Sequence, residues 1–171
     1  KIRSVRKVII IIDGYNMIRR VPALLSIEGG RGLEAGREAL LDRLFLYKGG
    51  RRDDITVVFD GPGKRGYWAR GGIRVQFAPS ADDAVVALAG PGVLVVSSDL
   101  EVQSGARQRG ATTQGADEFW QRVKGAIAGR RYRGSRKPQP VFHGTWDKAY
   151  WDETDEDNNY HRKRKRRKRR R

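Results

Sequence analysis

The acids that could do chemistry in this chain recur at one kind of place. Asp13 and Asp60 each end an apolar, β-branched run, in Asp13-Gly14 and Asp60-Gly61, and Asp99 follows Val93–Val96 after two serines. Asp82 and Asp83 stand behind Ser80, a residue suited to cap a helix. If the apolar runs are parallel strands, all five carboxylates meet at the carboxyl edge of the sheet, where open α/β sheets bind ligands. Converging carboxylates repel one another unless they share protons or hold a cation, and an all-oxygen donor set suits Mg²⁺ or Mn²⁺. An ion held by Asp13, Asp82, Asp83 and Asp99, alone or with a second, activates water and neutralises charge on a phosphodiester. Asn16, just behind Asp13, could bind metal through its carbonyl, orient water or hydrogen-bond the loop backbone. Ser97 and Ser98 could touch phosphate, although capping the following helix is the simpler role.

Each acid also has a plain structural role available. Asp-Gly is an ordinary turn pair, Asp82 and Asp83 complement a helix dipole, and Asp99 suits a cap. Any one of these roles suffices for one residue. Invoking them at every strand end is strained, so a shared acidic edge is the better explanation. Other phosphate chemistries fit less well. Gly61-Pro-Gly-Lys-Arg-Gly66 lacks the spacing and hydroxyl of a phosphate-binding loop, and no convincing strand precedes Gly30-Arg31-Gly32. Tyr15 stands where an aspartyl phosphatase would carry its second acid. The only imidazoles are His143 and His161, far downstream, which disfavours His-based nuclease or serine hydrolase chemistry.

The elements that must position these residues follow from the hydrophobic pattern. Val8–Ile12, Ile55–Phe59, Ile73–Phe77 and Val93–Val96 read as strands, with a short one near 111–113. Leu33–Tyr47 has helical spacing and stops at Gly49-Gly50; further helices are expected from Ser80 to Leu88, from Asp99 to Arg109 and from Ala116 to Ala128. Strands alternating with helices predict an α/β fold: an open, doubly wound, mostly parallel central sheet with helices on both faces. Residues 62–72 read as a glycine-rich basic loop. The character changes after Gly129, so 1–129 is expected to be the domain and 130–171 an extension, largely disordered alone, with an acidic run at 152–157.

Charge identifies the class of partner. The net charge is +16, and the ten consecutive Lys and Arg residues of 162–171 carry +10 of it, leaving a moderately basic body. A block headed by Arg162, Lys163 and Arg164 stays solvated and seeks polyanions, so RNA or the ribosome is the expected partner. Lys64, Arg65, Arg70 and Arg74 could track an RNA backbone, with Tyr67 or Trp68 stacking a base. Cysteine is absent and no apolar run has membrane-spanning length. The cytoplasm is therefore the expected compartment, with an organellar one still open because a chain starting at Lys1 can have lost a leader.

Four ordered motifs give a resemblance as well: Ile11-Ile-Asp-Gly-Tyr-Asn16, Val58-Phe-Asp-Gly61, Ala81-Asp-Asp83 and Val96-Ser-Ser-Asp-Leu-Glu101. Across about residues 7–128 the chain resembles the YacP-like NYN domains, relatives of the PIN nucleases. The resemblance implies a PIN-like sheet, a divalent metal site and endoribonuclease activity, with mRNA on the translating ribosome as one substrate setting. Carried over by motif, Asp13, Asn16, Asp82 and Asp83 are the catalytic candidates, supported by Asp60, Asp99 and Ser98. The alternatives are a non-enzymatic RNA- or ribosome-binding module on the same scaffold and, more distantly, a nucleotide or sugar phosphohydrolase.

Overall fold

The computed structural model describes residues 7–49, 51–61 and 68–133. The isoleucine run becomes β1 (Ile9–Asp13), buried from both sides: Ile10 and Ile12 enter one apolar cluster and Ile11 the other. Apolar side chains at successive strand positions are stable only where helices cover both faces. β1 pairs in parallel with β2 (Asp54–Asp60) on one side and β5 (Val93–Val96) on the other. β4 (Ile73–Ala78) extends the sheet beyond β2 and β6 (Thr112–Gln114) extends it beyond β5, both parallel. β3 (Trp68–Arg70) completes it as an antiparallel edge, giving the order β3-β4-β2-β1-β5-β6.

The face of Ile10 and Ile12 is covered by α1 (Gly14–Arg20), α2 (Pro22–Arg31), α3 (Leu33–Lys48) and α6 (Ala116–Arg133). That of Ile11 is covered by α4 (Ala81–Leu88) and α5 (Leu100–Gln108). The expected α/β architecture, a doubly wound and mostly parallel sheet, is thus the observed one. The chain builds outward from β1 through β2 and β4, then crosses back to lay β5 on the other side of β1. The order therefore reverses at the β1–β5 junction, the point beyond which a crevice opens at the carboxyl ends of the strands.

Three local features depart from the sequence reading. The stretch between β1 and α3 holds two helices that its composition conceals, since Gly29 and Gly30 lie inside α2 and glycine is a poor helix former. Tertiary burial of Met17, Ile18 and Leu24 stabilises these helices, and Pro22 opens α2 at a position where its missing N–H costs nothing. The basic segment before β4 is not all loop: β3 lies within it, turning into β4 through Gly71 and Gly72 at φ 57° and 78°. Finally, α6 continues to Arg133, past the Gly129 at which composition suggests an end.

Candidate active site

Asp13 closes β1 and caps α1. The glycine after it is needed for space: a Cβ on Gly14 would lie 2.3 Å from the Phe59 ring at the end of β2, and the residue has no positive φ. Asp13-Gly14 is therefore a direct strand-to-helix junction pressed onto Phe59 rather than a turn. The close approach leaves Asp13 only 4% exposed. Its Oδ1 accepts the Asn16 backbone N–H at 3.3 Å and its Oδ2 accepts the Ser97 hydroxyl at 3.1 Å. Burial raises its pKa from 3.8 to about 6; the bonds from Asn16 and Ser97 oppose that rise, and the carboxylates of Asp82 and Asp60 add to it.

Asp82, exposed in the first turn of α4, is also held above its usual range, first by partial burial and then by Asp99, Asp60, Asp83 and Glu101. The structure thus brings Asp13, Asp60, Asp82 and Asp99 to one rim, with Asp83 and Asp99 coupled to the centre through Asp82. Besides Asp13, two of these acids also have structural roles. Asp60 Oδ1 accepts the Ala81 N–H at 2.7 Å and fixes the start of α4, while Asp99 caps α5 through the N–H groups of Glu101 and Val102. Asp83 follows the Ser80 cap, whose Oγ accepts the Asp83 N–H.

Asn16 Oδ1 accepts the Ser98 backbone N–H at 2.8 Å. Because that partner can only donate, the amide orientation is fixed, and among the described residues its NH₂ donates to no acceptor. Ser98 Oγ accepts the Ala116 N–H, so this serine caps α6, not the helix that directly follows it. Ser97, read from the sequence as a phosphate contact or a helix cap, instead supports the central acid. Fully buried, it donates to Asp13, accepts the Asp99 N–H at 3.1 Å and has its own carbonyl held by Gln103. Glu101, the end of the fourth motif, likewise joins the rim through its effect on Asp82.

The RNA-binding candidates divide. Lys64, Arg65, Tyr67, Arg162, Lys163 and Arg164 lie outside the described residues. Trp68 and Arg70 fall in β3, where Arg70 pairs with Ile73 at the start of β4. Arg74 is the next residue of β4 and is exposed. Antiparallel pairing therefore carries Arg70 and Arg74 toward the amino rim of the sheet, roughly 13 Å of strand from the carboxyl end of β4.

Among the described residues, no three acids close into a ready ligand cage. The donor chemistry nonetheless fits a hard divalent ion. The side chains coupled to Asp13 are carboxylates and a hydroxyl, with no imidazole or thiol, and among the described residues no cation pairs with it.

The family model described as the YacP-like NYN domain matches residues 10–163, well past the quoted motifs and into the segment read above as an extension. Two solved structures of Rae1 (YacP) from Bacillus subtilis share the fold. One, 24% identical, has a TM-score of 0.61 and aligns over 73% of this chain and 78% of that one. The other, a point mutant 25% identical to this chain, has a TM-score of 0.59 over 73% and 79%. The sheet and its helix layers are PIN-like, as in those structures. No curated protein matches the chain in sequence.

Proposed function

The chain belongs to the YacP-like NYN domain family, and from that premise we propose that it is a divalent-metal-dependent endoribonuclease centred on Asp13. The supporting observation is that Asp13 is buried at the junction where strand order reverses, faced by further carboxylates and by no cation among the described residues. Asp13, Asp82, Asp83 and Asp99 are the residues that would hold Mg²⁺ or Mn²⁺, which when bound supplies an activated water and neutralises charge at the scissile phosphate.

The chain's own groups prepare that chemistry. Ser97 and the Asn16 N–H fix both oxygens of Asp13, and a pKa of about 6 leaves Asp13 mainly ionised at neutral pH. Asp60 holds the first turn of α4 so that Asp82 faces the centre. The Asn16 NH₂, with its amide turned by the Ser98 N–H, would donate to a phosphoryl oxygen. The substrate of this reading is RNA, with mRNA on the ribosome as its setting, and the basic residues of 162–171 add affinity for the backbone.

The test is cleavage of a single-stranded oligoribonucleotide by the full chain with Mn²⁺ or with EDTA. Cleavage is expected only with metal and is expected to vanish in Asp13→Asn while RNA binding persists. Undiminished cleavage by that variant in EDTA overturns the proposal. Binding without cleavage under every condition selects instead a non-enzymatic RNA- or ribosome-binding module.

A further inference from the structure

On the α1–α3 side of the Asp13 rim, Tyr15 is buried with its ring edge-on to Phe59 at 5.1 Å, and Phe59 stacks on Phe77 at 5.7 Å. Two guanidinium groups are mounted on these rings. Arg37 lies over Phe77, 5.4 Å from its centroid, and donates to the Tyr15 hydroxyl at 2.8 Å; Arg19 lies over the face of Tyr15 at 5.4 Å. Half-buried Arg37 has no carboxylate partner among the described residues. A guanidinium has five N–H donors in a planar fork, and within the described residues Arg37 uses one. The Tyr15 hydroxyl accepts from Arg37, and its own proton has no acceptor among the described residues.

A partly desolvated cation held by a π-face and a phenol, with donors that no described residue uses, is suited to an anion with several oxygens. Its place selects which anion. Tyr15 is two residues beyond Asp13, and Phe59 and Phe77 are paired at the carboxyl ends of β2 and β4, next to Asp60. The carboxylates coupled to Asp13 come from the end of β2 and from α4, whereas these guanidiniums come from α1 and α3. An anionic strand crossing the rim would be repelled on one side and held on the other. We propose that Arg37 and Arg19, arrayed on Tyr15, bind the phosphodiester backbone of the RNA beside the bond to be cut. The identity of the strand rests on the ribonuclease reading above; the phosphate chemistry rests on the arginines.

The test uses full-length protein in two backgrounds. With Asp13→Asn, binding of a labelled single-stranded oligoribonucleotide is followed across salt concentration; with Asp13 intact, metal-supported cleavage gives kcat and KM. Arg37→Gln is expected to weaken binding about tenfold and to lower the slope of log affinity against log salt by about 0.7 for each phosphate that is no longer neutralised. KM should rise more than kcat falls. Arg37→Lys should recover part of the affinity, since it restores the charge without the fork, and Arg19→Gln should act in the same direction more weakly. An unchanged salt slope and KM in Arg37→Gln overturn the proposal, as does a lowered melting temperature alone, the mark of a purely structural role. If that variant does not fold, Arg19→Gln and Tyr15→Phe decide, and normal affinity in both overturns it. A reduced slope in a protein that never cuts RNA leaves the phosphate site standing and retires the ribonuclease reading; cutting with an unmoved slope does the reverse.

Discussion

The Ser97 hydroxyl donates to Oδ2 of Asp13 at 3.1 Å, joining residues 84 positions apart across the β1–β5 junction. Ser97 Oγ in turn accepts the N–H of Asp99, so one buried side chain ties the central acid to the cap of α5. This bond opposes the effect of burial and keeps Asp13 ionisable near neutral pH.

Ser97→Ala removes a donor that favours the Asp13 carboxylate, so the Asp13 pKa should rise above its present value of about 6. A carbon NMR titration of the carboxyl group measures this directly, and the acid limb of any pH–rate profile should move to higher pH with it. The Asp99 N–H also loses its acceptor, and a stability loss of about 1–2 kcal/mol is expected in urea unfolding.

Asp13→Asn should stabilise the fold at neutral pH while removing activity. The folded pKa of about 6 lies above the ordinary 3.8, so the folded state holds the proton more tightly than the unfolded chain. The stability from this group is full below about pH 4 and is lost as pH rises through 6, a difference on the order of 3 kcal/mol. The advantage of Asp13→Asn in urea midpoint should therefore be large at pH 7.5 and shrink toward pH 4. A pH-independent difference would contradict the burial effect.

Gly14→Ala places a methyl group against the Phe59 ring, and close-packed interiors yield little. A loss of about 1–3 kcal/mol is expected, larger if Asp13 is displaced with the helix start. Phe59→Leu, added to it, should recover part of the loss; a strictly additive double mutant would show that the clash is relieved elsewhere.

Mn²⁺ should raise the melting temperature of the native chain but not of Asp13→Asn. At a hundredfold excess over Kd, binding to the folded state alone contributes about 2.7 kcal/mol. An equal shift in both proteins would move the metal site away from Asp13.

The one-dimensional pattern carried the frame of this molecule. An unbroken isoleucine run has to be a doubly covered strand, and alternating strand and helix periods leave a parallel sheet as the way to bury it, with acids at the carboxyl edge. What residue types could not give is which contacts those acids make, because they form between segments remote in sequence. The backbone N–H of Ser98 decides which way Asn16 points. Packing between Gly14 and Phe59, not turn geometry, fixes the glycine. The helices around Met17 and Leu24 exist because the sheet buries them, which overrides weak local propensity. No motif or spacing marks Arg37; only the fold sets it on Phe77 and Tyr15. Local propensity and period are properties of neighbouring residues, whereas desolvation, pairing and repulsion depend on distances that exist once the chain is packed.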